Sequence, residues 1–139
     1  MTAGPYLPGR TPRPPEGAFD HLKEVSHPLE RCPAWRAGVQ FFREGYYWEA
    51  HEVWEAVWMA APENGPEKIM VQAAIQLANA RLKQALDRPR AAIRLQRMAS
   101  GLMQEAWNRG GGSVMGMVRP LSGSGVQYSA ERALLRGRN

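Results

Sequence analysis

Phe41–Trp58 reads FFREGYYWEAHEVWEAVW and is the stretch that decides the fold of this chain. It holds two Phe, two Tyr and three Trp, and this density of aromatic side chains indicates a hydrophobic core. Four glutamates and one histidine are interspersed among the rings. Such groups are costly to bury unless they are paired or bind something. The stretch therefore predicts a polar site inside the core.

Length and composition indicate a single soluble domain. The chain has 139 residues, 44% of them hydrophobic, which is enough for one core. No apolar run approaches the roughly 20 residues that cross a membrane, and the first residues do not resemble a signal peptide. A single cysteine, Cys32, excludes an internal disulfide. These features predict a cytoplasmic protein without a membrane partner.

The net charge of +5 is unevenly distributed. Residues 33–65 hold two basic and five acidic side chains, for a net −3, whereas residues 66–109 hold eight basic and three acidic ones, for a net +5. An acidic aromatic segment is a poor match for nucleic acid, so a nucleic-acid partner is not favoured. It suits a cation, or pairing between acidic and basic helices.

Proline and glycine divide the chain into three parts. Residues 1–32 contain a proline-rich arm, expected to be extended over the domain or disordered, with a short helix over residues 20–25. Residues 33–109 form the helical core domain. Residues 110–139 form a glycine-rich segment, irregular over 113–127, and a short helix over 128–135.

Hydrophobic spacing predicts four main helices and no strand. Apolar side chains recur at intervals of three and four, and Pro, Gly and Asn mark the breaks between the periodic segments. The fold class is therefore all-α, a single compact bundle of about four helices joined up and down. The predicted ranges are 33–44, 46–60, 66–86 and 89–108.

The chemistry-bearing residues lie on the second and third helices. At about 100° per residue, His51, Glu52 and Glu55 share one arc of the second helix with Trp48. His51 and Glu55 are four residues apart and therefore neighbours. Gln72 and Gln76 form an amide stripe on the third helix that either faces this arc or faces water. The candidate catalytic residues are His51, Glu55 and Glu52, and the candidate ligand-binding residues are Gln72, Gln76, Glu49 and Trp48.

Several functions fit these residues. In one hypothesis the cluster binds a small polar ligand or a divalent cation, and His51 exchanges a proton while Glu55 orients it. A divalent metal on His51 and Glu55 is a candidate that is not favoured, because amides are weak ligands and no second histidine is near. In the alternative, the cluster is a structural hydrogen-bond network within a non-enzymatic interaction module. Its arm or its basic fourth helix would then contact a protein or nucleic acid. A surface for a homodimer would come from the neighbouring tryptophans Trp35, Trp48, Trp54 and Trp58.

Two motifs carry a resemblance to a known family. The first is an aromatic-x-x-Gly-x-Tyr-aromatic-Glu-Ala-His-Glu-x-x-Glu-x-x-Trp run, and the second is a later Gln-x-x-x-Gln helix. Over residues 35–100 the chain resembles the small bacterial and archaeal proteins grouped as domain of unknown function 309. The residues that fit are Phe42, Gly45, Tyr47, Glu49, Ala50, His51, Glu52, Glu55 and Trp58 in the first motif, and Gln72, Ile75, Gln76, Ala78 and Ala80 in the second.

The resemblance implies a compact all-helical domain whose glutamine stripe faces the His/Glu helix. It supplies no activity. The chain departs from the family at Ala73, where relatives often have Gly, and near Lys83 and Gln84, where relatives often have His. The missing histidine weakens a metal site carried over from relatives.

Overall fold

Four helices dominate the structure, a computed structural model that describes residues 4–120 and Leu134. The predicted all-α class is confirmed. None of the described helices combines the length and apolarity needed to span a bilayer. The elements are two 3₁₀ turns at Asp20–Leu22 and Leu29–Arg31, helices α1 (Pro33–Arg43), α2 (Tyr47–Ala60), α3 (Pro66–Ala85) and α4 (Pro89–Gly110), and two short strands β1 (Ser113–Val114) and β2 (Met117–Val118).

Local sequence signals set the helix boundaries. Pro33, Pro66 and Pro89 each occupy the first turn of a helix, where the missing N–H is no loss and the fixed φ suits the helix. Between α1 and α2 the chain turns through Gly45, whose φ of 86° lies in the left-handed region that glycine adopts freely.

The third helix is the centre of the bundle. It packs against α2 on one side and α4 on the other, and α1 packs against α2. Ala73, Ala74, Ala78 and Ala80 are all buried on α3, and such small side chains allow close helix packing. Trp54 of α2 and Trp107 of α4 are the largest fully buried side chains.

A close approach between α1 and α2 fixes the orientation of the second helix. Gly38 lies directly against the indole of Trp54, so that a Cβ at this position would overlap the ring. Trp54 stacks on Trp35 with ring centroids 5.1 Å apart, and its Nε1 donates to the Trp35 carbonyl oxygen at 3.1 Å. The face of α2 that carries Trp54 is therefore held against α1.

The prediction that no strand exists is wrong at residues 113–118. Ser113 pairs with Val118 and Val114 with Met117 in a small antiparallel hairpin. Its two-residue turn places Met115 and Gly116 at φ values of 55° and 76°, as a type I′ turn requires. The buried Trp107 ring donates its Nε1–H to the Met117 carbonyl oxygen at 2.9 Å, which holds the hairpin on α4. The helix predicted over residues 128–135 falls outside the described residues, except for Leu134, which is buried.

The N-terminal arm packs on the helices. Arg10 donates to the carbonyl oxygen of Leu86 at 3.1 Å, at the turn between α3 and α4. Tyr6 is buried, and its backbone N–H donates to Glu49 of α2 at 2.9 Å. Phe19 lies edge-on to Phe41 at a centroid distance of 5.7 Å. Described residues of the arm thus cover one side of α2.

Candidate functional site

The polar cluster lies on the outer face of α2. The side chains buried on this helix are Glu49, Ala50, Val53, Trp54 and Val57, which span one arc of the helix and face α1 and α3. His51, Glu52 and Glu55 lie on the opposite arc. Their side chains are 19%, 29% and 54% exposed, respectively. The prediction that this cluster is enclosed in the core is therefore wrong, and Glu55 in particular faces solvent.

Both ring nitrogens of His51 contact oxygen acceptors. Nδ1 lies 3.0 Å from the carbonyl oxygen of Trp48, and Nε2 lies 3.1 Å from a carboxylate oxygen of Glu55. A neutral imidazole carries a hydrogen on only one nitrogen, so it can satisfy only one of the two acceptors. The tautomer decides which acceptor is satisfied, and the tautomer with its hydrogen on Nδ1 leaves the Nε2 lone pair facing Glu55.

Glu52 completes a set of three donor groups. One donor atom from each of His51, Glu52 and Glu55 lies within 4.8 Å of the others. Glu52 also forms an ion pair with Lys23, whose Nζ lies 3.4 Å from a Glu52 carboxylate oxygen. The same Nζ lies 3.4 Å from a carboxylate oxygen of Asp20. The 3₁₀ turn of the arm thus supplies the counter-charge to this end of the cluster.

Glu49 is separated from the other three groups. It is 3% exposed, and one carboxylate oxygen accepts from the Tyr6 N–H, whereas Oε1 is buried without a hydrogen-bond partner among the described residues. Burial raises the pKa of Glu49, and the N–H groups of Tyr6 and of Glu49 itself partly offset that rise. Glu49 anchors the arm through the Tyr6 N–H, and its role in ligand binding stays a prediction.

Trp48 joins the cluster to the arm. Its ring lies edge-on to Tyr6 at 4.9 Å, near Phe19 at 6.3 Å and near His51 at 5.9 Å. The guanidinium of Arg13 lies 5.4 Å from the centre of the same ring. The sequence predicts Trp48 beside His51, but it does not show that Tyr6, Phe19 and Arg13 pack on this ring.

Gln72 and Gln76 are not joined to the cluster by hydrogen bonds. Both are half-buried on α3, which packs against the inner arc of α2, opposite His51. The hydrogen bonds found across residues 4–120 include none from either amide to His51, Glu52 or Glu55. The expectation that the glutamine stripe faces the cluster therefore stays a prediction.

Sequence reasoning missed the groups that the arm contributes. Lys23, Arg13 and Phe19 lie 25 to 35 residues before Trp48 in the chain, and no periodic pattern connects them to α2. The available signal was the presence of aromatic residues in an otherwise proline-rich segment. Aromatic side chains in such a segment favour packing against the folded domain.

The surface groups of the alternative hypothesis lie elsewhere on the molecule. Arg90, Arg94 and Arg97 are exposed on α4, which packs against α3. Trp35 and Trp54, two of the tryptophans considered for a dimer surface, are buried inside the chain. The homodimer and the α4 interaction surface stay predictions.

Comparison with known proteins gives a family-model match at the centre of the chain. No curated protein and no solved structure matched the chain. Residues 35–95 match the family model described as Domain of unknown function (DUF309). This stretch contains α1 from Trp35 onward, all of α2 and α3 and the start of α4, together with the whole His/Glu cluster. This is the family that the two motifs resemble, and its model matches residues 35–95 of the chain.

Proposed function

We propose that His51, Glu52 and Glu55 bind a divalent metal ion on the outer face of α2. The single observation that carries the proposal is the placement of the His51 ring between two acceptors, the Trp48 carbonyl and the Glu55 carboxylate. Histidines that bind metals commonly donate one ring N–H to a backbone carbonyl and present the other nitrogen to the ion. The Trp48 contact at Nδ1 leaves Nε2 for this purpose.

The distances support an ion of first-row transition-metal size. Ligands about 2.1 Å from a tetrahedral zinc ion stand roughly 3.4 Å apart. The distance of 3.1 Å between His51 Nε2 and the Glu55 carboxylate is close to that spacing. The donor atoms of all three residues are up to 4.8 Å apart, so the Glu52 side chain has to rotate toward the other two to bind the same ion. Imidazole with two carboxylates suits Zn²⁺, Co²⁺ or Ni²⁺ better than Mg²⁺, which prefers oxygen ligands.

The charge around the cluster favours a divalent ion. Glu52, Glu55 and Asp20 bring three negative charges, and Lys23 brings one positive charge. Three protein donors leave at least one coordination position for water or a ligand, as in catalytic metal sites. Without an ion, a hydrogen on Nε2 makes the same pair a hydrogen bond from His51 to Glu55.

The test is thermal unfolding of the metal-free full chain, produced without a histidine tag, in the presence of Zn²⁺, Co²⁺, Ni²⁺, Mn²⁺ or Mg²⁺. A saturable rise in Tm is expected, smallest for Mg²⁺ and absent in His51→Ala, because binding to the folded state alone stabilises it. The matched pair of variants is Glu55→Gln, which should weaken binding, and Glu105→Gln, which should not. Both carboxylates are about half exposed and lie in i,i+4 pairs.

Lys23→Gln is expected to change the metal affinity in the opposite direction. Lys23 competes with an ion for Glu52, so its removal should tighten binding. The absence of a saturable Tm rise with every ion, or an equal rise in His51→Ala, would overturn the proposal.

A further inference from the structure

A cavity of about 310 Å³ lies between the arm and the first turns of α2. Trp48 and Glu52 of α2 line one side, and the arm segment 13–19 with Lys23 lines the other. This volume is at the lower end of the range for small-molecule sites. Glu52 belongs both to this cavity and to the cluster with His51, so that a ligand in the cavity reaches the cluster directly.

The arm side of the cavity is held by internal turns. The Ala18 N–H donates to the Pro15 carbonyl oxygen at 3.1 Å, and the Asp20 N–H donates to the Gly17 carbonyl oxygen at the same distance. Tyr6, buried and hydrogen-bonded to Glu49, fixes an earlier part of the arm to α2. A pre-formed wall reduces the ordering cost of binding.

The lining has an aromatic part and a charged part. Trp48 and Phe19 offer ring surface for an apolar body. Arg13, Lys23, Glu16 and Glu52 bring the charges, two of each sign. Lys23 is paired with Glu52 and with Asp20, each at 3.4 Å, and the Arg13 guanidinium lies 5.4 Å from the centre of the Trp48 ring.

We propose that this cavity binds a small organic carboxylate with an aromatic body when the metal site is filled. The inference rests on the proposed metal site. An ion held by His51, Glu52 and Glu55 takes the Glu52 charge, which leaves Lys23 paired with Asp20 alone and adds positive charge at the cavity edge. The ion, Lys23 and Arg13 then form a positive end that a carboxylate fits, while the aromatic body packs on Trp48 and Phe19.

The charge of the ligand is tested with three compounds that share a phenyl ring and differ in ionic group. Phenylacetate is an anion, phenylalanine a zwitterion and phenethylamine a cation. Titration calorimetry of the full chain loaded with Zn²⁺ should detect phenylacetate and not phenethylamine. Binding should weaken about tenfold or more in metal-free protein and in Arg13→Gln, because a charged hydrogen-bond partner is lost in each. Arg31→Gln is the control, since Arg31 is exposed and does not line the cavity.

Each other result counts against a defined part of the reasoning. Preference for phenethylamine or phenylalanine, equal binding of phenylacetate without Zn²⁺, or full binding by Arg13→Gln would overturn the inference alone. Binding of Zn²⁺ with no phenylacetate binding would do the same. Failure of Zn²⁺ itself to bind would overturn the proposed metal site, and the inference would fail with it.

Discussion

Replacement of Gly38 by alanine tests whether the orientation of α2, and with it the outward placement of His51, depends on one close contact. A Cβ at residue 38 would overlap the Trp54 indole. The ring cannot move aside easily, because it is fully buried between Trp35 and Phe42 at centroid distances of 5.1 and 6.2 Å. Either α1 and α2 separate or the Trp54 ring rotates away from the Trp35 carbonyl.

The expected loss of stability follows from three contributions. Overpacking of a core costs about 1–3 kcal/mol. Disruption of the buried hydrogen bond from Trp54 Nε1 to the Trp35 carbonyl costs about 1–3 kcal/mol. Alanine in place of glycine inside a helix returns about 1 kcal/mol. The net loss is about 3 kcal/mol, which lowers Tm by about 10 °C at the average entropy of unfolding per residue for a chain of 139 residues.

Gly101→Ala is the matched control. Gly101 lies within α4, is exposed, and has no atom within 4 Å of the position that a Cβ would take. The same substitution there should raise the free energy of unfolding by about 1 kcal/mol through helix propensity alone. Urea unfolding followed by tryptophan fluorescence measures both variants. Equal stabilisation by the two substitutions would refute the claim that Gly38 is required by the Trp54 ring.

Two further changes test the buried charges. Because burial raises the pKa of Glu49 above its ordinary 4.5, Glu49 favours folding below that value, and this contribution is lost as pH rises through the folded pKa. Glu49→Gln should therefore gain stability relative to the wild type as pH rises from 4 to 8 in urea unfolding, and a constant difference would contradict this. Lys68→Met should lose about 0.5–2 kcal/mol, because the ammonium lies 4.0 Å from the Trp58 ring centre. Glu63 forms an ion pair with Lys68, and its side chain is 82% exposed, so Glu63→Gln should lose less than about 0.5 kcal/mol. Equal losses in Lys68→Met and Glu63→Gln would assign the effect to this ion pair and not to the Trp58 ring.

The helices could be predicted because their signals are local. A proline at the first turn and a glycine or asparagine between segments mark a boundary within a few residues, whatever the rest of the chain does. The hairpin could not be predicted in this way. Its strands are two residues each, and Met115 occupies a turn position that asparagine or glycine usually marks. The burial of Met115 offsets the cost of its left-handed backbone, and that burial depends on tertiary packing.

The composition of the candidate site was predictable, but its surroundings were not. Residues four apart are neighbours on any helix, so the spacing of His51 and Glu55 predicts their contact. In the structure, His51 Nε2 lies 3.1 Å from a Glu55 carboxylate oxygen. Which face of α2 turns inward was ambiguous, because Trp48 and Met59 share the arc of His51 and make that arc look apolar. The cover on Trp48 comes from Tyr6 and Phe19, and the Tyr6–Glu49 hydrogen bond joins residues 43 positions apart.

The two acids Glu49 and Glu52 explain why the arm and the polar cluster belong to one arrangement. Three residues apart, they lie side by side at the edge between the inner and outer arcs of α2. Glu49 takes the Tyr6 N–H and holds the arm, whereas Glu52 takes Lys23 and lines the cavity that the arm creates. Glu52 would thus be shared by the cation at His51 and by the cavity, so that occupancy of one would alter the charge available to the other. By this reasoning the motif Glu-Ala-His-Glu combines an anchor for the arm with the site that the arm covers.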